Sequence, residues 1–353
     1  MTTTITAARR AQVDEHHFIK ADDGVPLTLI HVRGPVAPTK PPVLLVHGAG
    51  MRAESFRPPA IRSIVDVLLA DGWDVWLFNW RGSTDLDALP WTLDDVARFD
   101  HPAAVRHIVA ETGADSIKAI AHCQGSTSLS MAVVAGLVPQ IDTVVSNGVS
   151  LHPVVPRFTK VKLHMLRPLF QRGQPYVDVA WGDGPEKGVH LVTRSAVRLW
   201  HVECSNPACN MASFALGSGH PAIWRHRNLD RETHEWLATE FGKIPLAMYA
   251  QIAKSERAGQ VVAFQPVDGM PARYASAAPR STARFALFTG AENHAFLPQS
   301  QRATHAYLER HQPGRHTLHV IPGYGHADVF VGHRAHLDVF PAIMAELNRP
   351  SGA

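Results

Sequence analysis

A chain of 353 residues with 45% apolar and 18% charged side chains describes a globular protein able to bury a large core. Its formal net charge of +3 is small, and no run of Lys or Arg stands out, so nucleic acid is not an expected partner. The three cysteines do not suggest a disulfide framework, and no stretch of apolar residues reaches the length of a membrane span.

The N-terminal stretch MTTTITAARRAQVDEHHF has no apolar run before its charges, so no secretory leader is expected and the cytoplasm is the expected compartment. A hairpin is predicted at His17–Lys20 and Leu27–Val32, turning through Asp22-Asp23-Gly24. Pro42–Val46 is continuously apolar and reads as a buried central strand that ends in His-Gly-Ala-Gly. A helix over Ile61–Asp71 and a strand over Trp73–Asn79 follow. Asp94–Thr112 carries apolar residues at helical spacing and stops at Gly113. Ser116–Ala121 reads as a strand running into Cys123, with helix over Ser126–Ala135 and strand over Thr143–Val149. Such alternation is the pattern of βαβ units in a mainly parallel sheet.

After Pro153 the rhythm breaks. Residues 152–280 are rich in Pro, Trp and His and read as helices and loops. Strands return at Arg284–Thr289 and Thr317–Ile321, and a last helix is predicted near Asp338–Leu347. The expected organisation is a sheet core from residues 1–151 and 281–353, with 152–280 inserted as a cap over the carboxyl ends of the strands. Trp181, Trp200, Trp224 and Trp236 suggest an apolar cap able to line a lipophilic pocket, or simply core.

Ala121-His122-Cys123-Gln124-Gly125 sits between a strand and a helix. Small residues two before and two after the central one permit a sharp turn that lifts Cys123 above the sheet. The helix N-terminus there favours a thiolate, which makes Cys123 the candidate nucleophile. His47-Gly48-Ala49-Gly50 offers backbone N–H groups to an oxyanion, with Ala49 the expected donor beside Gln124. Gly50, His122 and Trp80 are assigned to substrate binding. The general base is expected late in the chain, and His326, enclosed by the turn residues of Pro322–Asp328, is the candidate. For the third member, Gly290-Ala291-Glu292-Asn293 offers both Glu292 and Asn293. The pair stays open with a slight lean to Asn293, since a thiolate–imidazolium pair needs only an orienting group and tolerates a neutral amide, and Asp328 is an outlying candidate. Cys204 and Cys209 lie four residues apart in ECSNPACNM with no second pair, so packing or a strained loop is expected and zinc is not.

The stretches DVWLFNWRGS, VARFDHPAAV and AHCQGST resemble acid and gastric lipases, with cysteine where those have serine, and GHADVF resembles the stretch around their histidine. Over nearly the whole chain there is a closer resemblance to the α/β-hydrolase domain accompanying some bacterial cholesterol-oxidase-like flavoproteins of the glucose-methanol-choline type. It rests on the HC-x-GST elbow, the two-cysteine segment, GAEN followed by FLP, and IPGYGH. The resemblance implies an α/β-hydrolase fold with a lid, a lipophilic ester-like substrate, Cys123 as nucleophile and His326 as base. The order nucleophile, third member, histidine is that of the fold. No G-x-G-x-x-G follows an N-terminal strand, so no flavin and no other cofactor is expected. The reaction expected is acyl transfer through a thioester on Cys123, ending on water, an alcohol, an amine or a thiol. The competing expectation is a catalytically silent binding or scaffold protein, with a separate flavoprotein oxidoreductase as partner.

Overall fold

The computed structural model describes residues 12–166, 175–180 and 195–350. Its strands are β1 (Val13–Lys20), β2 (Pro26–Arg33), β3 (Pro42–Val46), β4 (Asp74–Asn79), β5 (Ile117–His122), β6 (Ile141–Asn147), β7 (Tyr176–Asp178), β8 (Lys243–Pro245), β9 (Arg284–Gly290) and β10 (Thr317–Ile321). Eight of them form one sheet in the order β1-β2-β4-β3-β5-β6-β9-β10, parallel from β4 onward, and β7 pairs with β8 alone. The continuous apolar run of β3 places it in the middle, where both faces are covered. Val43 and Leu45 pack into one apolar cluster and Leu44 and Val46 into the other, and Val75 and Leu77 divide likewise from Trp76 and Phe78. That division is the two-residue period of a strand read across a sheet.

The helices used below are α1 (Ile64–Ala70), α2 (His101–Thr112), α3 (Cys123–Val134), α4 (Pro207–Leu216), α5 (Leu246–Ala258), α6 (Gln299–His311) and α7 (Phe340–Asn348). Helix α1 begins later than its apolar pattern suggests, because Ser63 and Asp66 form a reciprocal capping box there. The helix expected over Asp94–Thr112 is interrupted: a wider turn over Val96–Asp100 precedes α2, whose second residue is Pro102. Proline lacks an N–H and crowds the preceding turn, so a regular ladder does not pass through it. Helix α3 starts at Cys123, three residues before the expected Ser126, so the elbow is the first turn of the helix.

The chain leaves the sheet after β6 and returns at β9, which pairs directly with β6. The described residues between them carry α4, α5 and the β7–β8 ribbon. This stretch touches the sheet's carboxyl edge through backbone hydrogen bonds: Gly242 N–H to Gly50 O (3.0 Å), Val261 N–H to Leu151 O (2.7 Å) and His326 N–H to Ile223 O (2.7 Å). Trp200, Trp224 and Trp236 lie within it, Trp224 fully buried and Trp200 about half exposed, while Trp181 lies outside the described residues.

Candidate active site

Cys123 has φ of 54°, the only positive φ on a non-glycine residue among those described. Left-handed backbone costs a side-chain-bearing residue about 1–2 kcal/mol, so the surrounding packing must impose it. Gly125 is part of that packing: a Cβ there would stand 2.2 Å from the His47 carbonyl oxygen, so only glycine lets α3 close onto β3. The turn presents the Cys123 sulfur to the backbone N–H groups of Gln124 and Ala49, both of which donate hydrogen bonds to it. The sulfur therefore occupies the focus of two amides, an arrangement that can hold a negative charge.

Behind these amides, His47 stacks on Trp80 at 5.2 Å between centroids, and the Trp80 indole N–H donates to the His47 carbonyl at 3.0 Å. Trp80 is fully buried. It supports the His47–Gly50 loop from behind. Gly50 packs against β8, where a Cβ on it would meet Ile244 at 2.5 Å. His122 lies on the reacting side: its ring centroid is 4.7 Å from that of His326, and its Nδ1 accepts from the Asn147 amide at 2.9 Å.

His326 is almost completely buried and follows β10 on the loop expected to deliver it. Its Nδ1 meets the side-chain nitrogen of Asn293 at 3.1 Å. Of the two acidic alternatives, Glu292 turns away and pairs with Arg225 (2.9 Å) and Arg227 (2.5 Å). Asp328 is engaged by the Gly325 N–H (2.9 Å) and the Asn228 amide (2.6 Å), so it shapes the histidine loop. Asn293 alone among the three touches the imidazole.

The orientation of that amide is over-determined. Asn293 Oδ1 accepts from the N–H groups of Ala295 (3.0 Å) and Phe296 (3.1 Å), and Nδ2 also reaches Thr289 Oγ1 (3.3 Å). An amide nitrogen only donates, so neutral His326 accepts at Nδ1 and carries its proton on Nε2. Nε2 is buried and makes no hydrogen bond among the described residues. Burial pushes the His326 imidazole down to about 4, and burial pushes the Cys123 thiol up to about 12 despite the Gln124 and Ala49 amides. The sequence suggested a thiolate–imidazolium pair. The folded site instead favours two neutral groups, because desolvation outweighs the helix terminus and the two amides.

Two neighbours carry no obvious motif. Gly148, at φ +92°, leaves room for the imidazole: a Cβ there would stand 2.8 Å from His326 Cε1. The Asn147-Gly148 pair at the end of β6 is the readable signal, since such a pair marks a left-handed turn at the sheet's carboxyl edge. Tyr249 on α5 is close enough for the Cys123 charge to raise its phenol further, after burial has raised it first. Helical apolar spacing gave no means of separating Tyr249 from core residues.

A family model described as the alpha/beta hydrolase fold matches residues 41–333. Lipase member K of Homo sapiens is 32% identical over 163 residues, covering 42% of this chain and 39% of that protein. Lipase member M of Homo sapiens is 33% identical over 130 residues, covering 32% of this chain and 31% of that protein. The matched segments thus span roughly a third of these relatives' length. A thermophilic esterase from Thermogutta terrifontis superposes with a TM-score of 0.56 at 14% identity, covering 94% of this chain and 98% of that one, a likeness of fold.

Proposed function

Starting from a chain that belongs to the α/β-hydrolase fold family, we propose that it takes an acyl group from a lipophilic ester or thioester onto Cys123, beneath a cap formed by residues 152–280. The observation that carries this reading is the convergence of the Ala49 and Gln124 amides on a sulfur held at φ 54°. A cysteine that served only as core packing would need neither the strain nor the donors. The lipase relatives support an ester as the bond attacked.

In this reaction the sulfur attacks the acyl carbonyl, whose oxygen takes up negative charge between the two amides. The bond from the acyl carbon to the leaving oxygen or sulfur breaks, and the leaving group departs with the proton the thiol relinquished. Water, an alcohol, an amine or a thiol then cleaves the thioester. Ferrying the thiol proton through Nε2 requires the imidazole proton to sit on Nδ1, and therefore the Asn293 oxygen to face it. Turning the amide breaks the bonds from Ala295 and Phe296, at about 1–3 kcal/mol each. The two together slow the step by roughly 30-fold to 10⁴-fold. The acyl-enzyme is thus formed slowly, by a nucleophile held in check.

Exposure to p-nitrophenyl octanoate followed by intact mass measurement tests this. An added octanoyl group or sustained release of p-nitrophenol by the wild type, both missing from Cys123→Ala, is the expected result; a wild type that neither carries the adduct nor releases p-nitrophenol overturns it.

A second reading has its own observation. The neutral thiol, the neutral imidazole and the amide aimed at Nδ1 also suit a chain that binds an acyl-bearing or sterol-like molecule without turning it over, alongside a flavoprotein oxidoreductase. Release of more than one equivalent of p-nitrophenol per chain from p-nitrophenyl octanoate, absent in Cys123→Ala, would eliminate it.

A further inference from the structure

We infer that the cap carries a structural zinc site formed by His201, Cys204, Cys209 and His226. Spacing along the chain argued against zinc because it counted only cysteines; the fold brings two histidines from other segments to the same point. One donor atom from each of the four residues lies within 4.8 Å of every other. His201 Nε2 is 3.6 Å from both Cys204 Sγ and Cys209 Sγ, and His226 Nε2 is 3.4 Å from Cys209 Sγ. A tetrahedral zinc with bonds of about 2.3 Å to sulfur and 2.0–2.1 Å to nitrogen sets neighbouring sulfur and nitrogen ligands about 3.5–3.6 Å apart. Three sulfur–nitrogen edges of that tetrahedron are therefore already close to length, and the remaining donor pairs lie within 4.8 Å.

The outer contacts suit a metal too. His201 Nδ1 donates to the Gly219 carbonyl at 2.7 Å, and His226 Nδ1 meets the Glu203 carboxylate at 3.0 Å. Each imidazole is thus anchored through Nδ1, which leaves the lone pair on Nε2 pointing at the two sulfurs. A carboxylate or carbonyl behind a histidine is the usual support of a metal ligand. Cys209 is placed by Asn206, whose side chain caps α4 through the N–H groups of Ala208 and Cys209. Two thiolates would balance the charge of a divalent ion, and a closed S₂N₂ set selects zinc for a structural role.

The site would tie three separate stretches of the cap together, and one of them reaches the candidate active site. The segment bearing His226 supplies the Ile223 carbonyl that receives the His326 N–H at 2.7 Å, and Asn228, whose amide holds Asp328 at 2.6 Å. Zinc here would fix the cap against the histidine loop.

The experiment is metal analysis by plasma mass spectrometry of the untagged full chain, purified without chelators and supplied with zinc. About one zinc per chain is expected, lost in Cys204→Ser and Cys209→Ser and retained in Cys123→Ala. Glu203→Gln is expected to keep the fold and weaken zinc about 10–100-fold in competition with a chromogenic chelator. Should the cysteine variants fail to fold, cobalt added to the wild type must give thiolate-to-cobalt charge-transfer and tetrahedral ligand-field bands. The inference is overturned by a wild type that takes up neither metal, by a Cys204–Cys209 disulfide in the freshly purified chain, or by zinc that survives in Cys209→Ser.

Discussion

Asn293 turns its amide nitrogen, and not its oxygen, toward Nδ1 of His326 at 3.1 Å. Two backbone N–H groups, from Ala295 and Phe296, hold the oxygen away. An aspartate in the same place would satisfy those N–H groups with one oxygen and accept the imidazole proton with the other. A single atom, nitrogen for oxygen, therefore sets which ring nitrogen of His326 carries the proton.

Asn293→Asp is accordingly expected to accelerate Cys123. Placing an amide where a catalytic triad holds its carboxylate costs about 10⁴-fold in serine proteases through this same tautomer error. The reverse change should raise the rate of octanoylation by about 10²–10⁴-fold, read by stopped-flow release of p-nitrophenol. An unchanged rate would show that His326 does not serve the sulfur.

The pH dependence of thiol reactivity follows from burial. With the Cys123 thiol near 12, its alkylation rate should climb about tenfold per pH unit through 7 to 9 and show no plateau. Mass spectrometry of Cys123 after timed iodoacetamide pulses measures it. A plateau between pH 6 and 8 would mean a pre-formed thiolate and refute the neutral pair.

Acid should destabilise the fold before it reaches the carboxylate range. Burial lowers His47, His152, His316 and His326 to about 4 and His101 to about 3, from 6.5. Below pH 6.5 the unfolded chain binds a proton on each, whereas the folded chain does not until about pH 4, so stability falls across that window. Buried Asp100 and Asp328 act in the opposite sense, since both are raised to about 6 and the folded chain protonates them first. Asp94 and Glu240 are raised by burial as well, but His122 and several further imidazoles are lowered by it, so the lowered imidazoles outnumber the raised carboxyls and the thermal midpoint should drop between pH 6.5 and 4.5. A rising midpoint over that interval would contradict the burial of these rings.

Gly148→Ala should separate chemistry from folding. Its Cβ would meet His326 at 2.8 Å at the end of a strand, displacing the imidazole locally and straining a left-handed turn. Acylation should fall at least tenfold while the protein loses only about 1–3 kcal/mol of stability by urea titration. Gly125→Ala is the contrasting case, because its Cβ would collide with a backbone oxygen at 2.2 Å and should prevent the elbow from closing.

Much of this was legible along the chain because it is local. The apolar run of Pro42–Val46, the small residues around Cys123 and the turn residues before His326 impose their conformations within a few bonds, whatever the rest of the chain does. The segments expected as strands of the large sheet appear there, with ends shifted by capping and pairing. The interruption before α2 was not foreseen, since periodicity reports which face is apolar and not where proline at position 102 breaks the ladder.

What the linear order left open depends on contact between distant side chains. Glu292 and Asn293 are adjacent in the chain, and only the packing of β9 against β10, with the segment bearing Arg225 laid against the histidine loop, determines that one meets Arg225 and the other His326. Cys204 and Cys209 read as an isolated pair until the fold carries His201 and His226 to them. Sequence specifies the backbone through short-range sterics and hydrogen bonding. Proton placement and metal-ligand geometry are set by atoms a few ångströms apart in space and tens of residues apart along the chain, so only the tertiary structure decides them.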